Sequence, residues 1–91
     1  RVLFRSTLNS FELFPNPVEN LGTLTFSLNE SHNVSFEIVN VLGEKVSYNN
    51  LGVISAGSYN EQFNVSELNS GIYFMNLNIG EEVITKKLTV K

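Results

Sequence analysis

The 91-residue sequence contains no cysteine, no tryptophan and no aspartate, and it has one histidine and two prolines. Without cysteine there is neither a disulfide framework nor a thiolate metal site. The joint absence of cysteine and tryptophan excludes the Cys–Trp–Cys core of a true immunoglobulin domain, though not the sandwich architecture itself. Without aspartate, a Ser–His–Asp triad would need glutamate in the orienting place, and a calcium loop loses its commonest ligand. His32 lies in the polar stretch Ser31-His32-Asn33 and reads as a solvated turn residue, with no second histidine for a zinc site. A glycosidase needs two carboxylates facing one another across a cleft, whereas each glutamate here is expected on the polar side of a strand or in a turn, Glu81-Glu82 included. No glycine-rich phosphate loop is present. The sequence therefore reads as a non-enzyme with no cofactor and no bound metal.

Long apolar runs are also missing. Nothing approaches the roughly 20 residues needed to cross a bilayer as a helix, so no integral membrane segment is expected. Arg1 and Arg5 are not followed by an apolar signal-peptide core; an export signal, if used, would precede this sequence. The chain does not start with methionine and reads as part of a longer protein. Basic residues are scarce as well: six against nine acids, for a net charge of −3. Three of the six (Lys86, Lys87 and Lys91) fall in the last six positions, leaving three bases against nine acids before them. An acidic body argues against a nucleic-acid partner, which calls for a basic stripe. The short basic end is too small for a polybasic membrane anchor.

What the sequence does hold is period-two alternation, the pattern of half-buried strands. Leu24, Phe26 and Leu28 share one face, as do Val34, Phe36 and Ile38. Val46 with Tyr48, then Tyr59, Phe63 and Val65 (interrupted by Glu61), make two further sets. Tyr73, Met75, Leu77 and Ile79 make another, and Ile84, Leu88 and Val90 alternate with Thr85, Lys87, Thr89 and Lys91. A short first strand at 11–14 brings the number to about seven. The three tyrosines fall on the apolar side of their sets and are expected to point inward. Turns are expected at Pro15-Asn16-Pro17, Asn29 to Asn33, Leu42-Gly43-Glu44, Gly52 to Gly57, Ser66 to Gly71 and Gly80-Glu81. No stretch carries a sustained 3.6-residue stripe. One domain of this length is expected, an all-β, immunoglobulin-like antiparallel sandwich over residues 11–91, with residues 1–10 as a linker or non-native remnant. An open sheet edge would allow it to pair with a second copy.

Four segments in fixed order carry a family resemblance. Phe14-Pro15-Asn16-Pro17 resembles a Tyr-Pro-Asn-Pro motif. Ile38-Val39-Asn40-Val41-Leu42-Gly43-Glu44-Lys45-Val46 resembles an aliphatic–Asp–x–x–Gly–x–x–Val hairpin, with Asn40 in the aspartate's place. Leu68-Asn69-Ser70-Gly71-Ile72-Tyr73 resembles Leu-x-x-Gly-Ile/Val-Tyr, and Thr85 to Lys91 resembles a lysine-rich final strand. Together they resemble the C-terminal sorting domain of the type IX (Por) secretion system, in its type A form. The resemblance implies a folded label on an upstream cargo. It would be recognised by translocon and sortase proteins, carried through the periplasm to the outer-membrane surface or beyond of a Gram-negative bacterium, and removed by the sortase near or ahead of Phe11. It further implies recognition through Lys86, Lys87, Lys91, Gly71 and Tyr73, while Pro15, Asn16, Pro17, Asn40, Gly43 and Leu68 serve mainly the scaffold. Strand alternation sets Lys87 and Lys91 on one face with Thr89 and turns Lys86 the other way. The alternative reading is a fibronectin-like or carbohydrate-binding accessory sandwich, which would need an exposed aromatic platform; a plain spacer is the third.

Overall fold

A computed structural model describes residues 8–91. The alternating segments form seven strands: β1 (Leu8–Phe14), β2 (Leu21–Leu28), β3 (His32–Val39), β4 (Lys45–Ile54), β5 (Gly57–Asn64), β6 (Gly71–Ile79) and β7 (Glu82–Val90). They divide into a three-stranded sheet, β1-β2-β5, and a four-stranded sheet, β4-β3-β6-β7, with every strand pair antiparallel. The connections after β2, β4 and β5 cross between the sheets. This is the immunoglobulin-like sandwich, and no helix interrupts it among the described residues. β1 starts at Leu8, three residues ahead of the expected first strand, and residues 1–7 of the expected linker lie outside the described residues.

The core lies between the sheets. Leu24, Phe26, Val34, Phe36, Ile38, Met75, Leu77 and Leu88 are essentially inaccessible to solvent. Each contributes on the order of 1.5–3 kcal/mol by leaving water, which works against the backbone entropy of ordering. No polar or charged residue is buried among the described ones. Gly22 also faces this core, and its missing side chain is filled by the ring of Phe63, its partner across β2 and β5.

Four expectations fail, for reasons of register. Tyr48 points outward and is half exposed, and Val46 is exposed too. Residues directly opposite in a ladder share a face; β4 pairs Ser47 with the buried Ile38 and Tyr48 with Glu37, so the polar set of β4 meets the core. Gly52 is not in a connection but within β4, at a register shift where Asn50 Oδ1 accepts the Gly52 N–H at 3.0 Å, and the crossing shrinks to Ser55 and Ala56. His32 begins β3, only partly exposed, with its ring lying against Gly80 of the β6–β7 hairpin. Glu61 pairs with Leu24 and so sits on the core side at the rim, half-buried. Tyr59 and Tyr73 point inward as expected; Tyr59 stacks on Phe26 with ring centroids 5.4 Å apart.

Candidate recognition surface around the final strand

β7 forms one edge of the four-stranded sheet, and an open edge presents unpaired backbone groups to any passing strand. Here the segment after β1 covers half of it. The Asn16 side chain acts as a substitute peptide group: its Nδ2 donates to Lys87 O at 3.2 Å and its Oδ1 accepts the Thr89 N–H at 3.0 Å. Val18 continues the pairing in parallel, donating its N–H to Thr89 O at 2.9 Å and accepting the Lys91 N–H at 2.8 Å. The Val18 side chain is fully buried and anchors this clasp to the core. Pro15 and Pro17, both preceded by cis peptide bonds, have no N–H to leave unpaired along the covering segment. The first and fourth motifs thus form one structure. Their union is illegible in the sequence, where Asn16 and Lys87 stand 71 residues apart.

The three lysines separate as strand alternation requires. Lys86 lies on the inner side, pairing with Met75 in the ladder, and its Nζ sits 5.5 Å over the centroid of the Phe11 ring from the other sheet. Like Glu61 on β5, it is an inward-pointing charge on an edge strand, a device that discourages edge-to-edge pairing. Lys87 and Thr89 face outward, opposite Phe74 and Ile72 of β6. Lys91 follows β7 and lines an open concavity of about 390 Å³ together with Pro15, Pro17 and Glu19.

The third motif is a corner. Gly71 has φ 151°, where a side chain would be strained, and the chain turns there from the β5–β6 crossing into a central strand. Tyr73 then places its ring in the core and donates its hydroxyl to Asn69 O at 2.8 Å, the geometry of a tyrosine corner. Leu68 packs partly buried against the core. Tyr73 is therefore a core residue with one polar tip.

In the second motif, Gly43 adopts φ 86°, the left-handed position a tight turn requires. Asn40 organises the turn: its Oδ1 accepts the N–H groups of Leu42 and Glu44, both at 2.9 Å, and its Nδ2 donates to Glu44 Oε1 at 2.9 Å. An aspartate would keep both backbone bonds but face the Glu44 carboxylate without a donor. We expect Asn40→Asp to cost well under about 1 kcal/mol, the scale of an exposed charge contact. Asn40→Ala should cost about 1–2 kcal/mol, because both turn N–H groups lose their acceptor. Adding Glu44→Gln to Asn40→Asp should restore wild-type stability. Urea midpoints check this, and an aspartate variant as unstable as the alanine one would mean that the two bonds to Asn40 Oδ1 do not hold the turn.

Among the described residues no group of histidine and carboxylate side chains is placed to hold a metal ion, and no helix is long and apolar enough to cross a membrane. Phe14 and Tyr48, the most exposed aromatics described, belong to different sheets and form no shared platform. No curated protein matches the chain. Residues 12–91 match the family described as the secretion system C-terminal sorting domain. That match spans all four motifs and six of the seven strands whole, with the end of β1 from Glu12 to Phe14, and the chain accordingly belongs to the C-terminal sorting domains of the type IX (Por) secretion system.

Proposed function

We propose that this domain carries an attached upstream cargo out of a Gram-negative cell as a folded, non-catalytic label. It is recognised at the outer membrane by the type IX translocon and cut away by a surface sortase. The observation that carries the reading is the family match over residues 12–91, supported by a final strand that is held by its own clasp and keeps Lys87 turned outward. Cleavage falls ahead of Leu8, since β1 is paired along β2 and buries Phe11, so that cutting within it would require the strand to leave the sheet. The label makes and breaks no bonds; its information lies in shape and charge.

The test is a secreted reporter, supplied with a periplasmic signal, fused ahead of the full 91-residue chain in a type IX-competent strain. The reporter should reach the cell surface and lose the domain, with the new terminus ahead of Leu8. Retention of the intact fusion in the periplasm would refute the proposal.

A further inference from the structure

The geometry points to the outer face of the four-stranded sheet, from Lys87 across to Tyr48, as the surface that docks the export machinery; this rests on the sorting reading above. Elimination narrows the choice first. The backbone edge of β7 from Lys87 to Lys91 is occupied by Asn16 and Val18, and a partner strand could add there only by extracting the fully buried Val18. Lys86 is held over the Phe11 ring, away from that face. What remains of the lysine-rich segment is Lys91, at the rim beside Pro15 and Pro17, and the outward side of Lys87 and Thr89, which alone lies on a sheet face.

Register then shows what stands beside them. Lys87 is opposite Phe74, Phe74 is opposite Val39, and Val39 is opposite Lys45. One row therefore crosses the whole sheet as lysine, phenylalanine, valine, lysine. Ile72, 39% exposed, flanks the row beside Thr89; Tyr48, 51% exposed, flanks it at the other end under Lys45 Nζ, 4.8 Å from the ring centroid. The acid on this face is Glu37, and it is taken by Lys45 at 3.3 Å and by Asn76 Nδ2 at 3.1 Å. Lys87 forms no ion pair among the described residues. In a chain of net charge −3, the row is apolar at its centre, with a positive charge left uncompensated at the Lys87 margin and the Lys45 charge balanced by Glu37. An apolar patch rimmed by charge is the anatomy of a protein interaction site. Its complement is a partner-protein surface of aliphatic side chains with a carboxylate set to meet Lys87, which would steer it into register.

The experiment uses the same reporter fused to the full chain. Lys87→Glu and Ile72→Glu should each lower surface delivery about tenfold or more, as expected when a charge or apolar contact is set against its partner. Lys87→Arg and the control Glu12→Lys, on the other sheet, should leave delivery unchanged. Melting of each purified fusion separates lost docking from lost folding. A photo-crosslinking residue at Tyr48, an exposed position with no core role, should attach the domain to an outer-membrane component of the secretion system; one at Glu12 should not. Normal delivery of both folded glutamate variants overturns this face while leaving the sorting function standing. Crosslinking of Tyr48 to a second copy of the chain also overturns it, in favour of a dimer interface. Failure of the unaltered fusion to leave the periplasm removes the function and this inference together.

Discussion

Replacing Val18 with aspartate should unfasten the final strand and cost at least about 4 kcal/mol, the range seen when an unpaired charge is forced into a core. Val18 has no exposed surface, and its backbone supplies two of the four hydrogen bonds that close the edge of β7. Domains of this size hold only about 5–15 kcal/mol in all, so much of the stability would go. Asn16→Ala removes the other two bonds but no buried apolar surface, and should cost about 1–3 kcal/mol. Val18→Ile, which keeps the apolar character but adds a methylene to a filled site, should cost less than the aspartate, about 1–3 kcal/mol. Urea unfolding measures all three. The freed edge has a second consequence: at high concentration the Asn16 variant should associate, because unpaired strand groups recruit other strands, and sedimentation would show it. A Val18→Asp protein as stable as wild type would mean that the clasp does not hold the strand.

The second large effect lies on the opposite sheet. A β-carbon built on Gly22 would stand 2.3 Å from Cζ and 2.6 Å from Cε2 of Phe63, and Phe63 is itself buried at 3% exposure, with little room to withdraw. Gly22→Ala should therefore destabilise by about 1–3 kcal/mol through overpacking, lowering the melting temperature by very roughly 5–20 °C for a domain of this length. The cause can be isolated by a double-mutant cycle. Phe63→Leu opens a cavity and is destabilising alone, but it should relieve the clash, so that the pair is more stable than the sum by about 1 kcal/mol or more. Simple additivity would place the cost of alanine elsewhere than in the Phe63 ring.

Both sites show where sequence reasoning stops. Nothing local to Gly22 says that a phenylalanine 41 positions later will lie on it; the β2–β5 register says so. Likewise Pro15-Asn16-Pro17 announced a break in the first sheet, but not that the asparagine would hydrogen-bond to β7. The lysine-rich segment was legible as a unit, yet its division into an inward Lys86 and an outward Lys87 acquired meaning only when Phe11 and Phe74 were found on the respective sides.

The amino-acid order by itself determined the number of strands and most of their positions, the acidic body with its cationic end, the turn residues Asn40 and Gly43, and the family. These depend on local quantities: side-chain alternation, backbone freedom, and residues close in the chain. Which face of β4 meets the core was decided by the tertiary structure alone. An alternating strand has an apolar side by composition, but only pairing with β3 settles whether that side is covered, and here Ser47 took the inner position while Tyr48 was left in solvent. The same long-range pairing joined Asn16 to Thr89 and laid Lys45, Val39, Phe74 and Lys87 in one row. Contacts between distant strands are fixed by register and sheet order, and neither is written in any single strand.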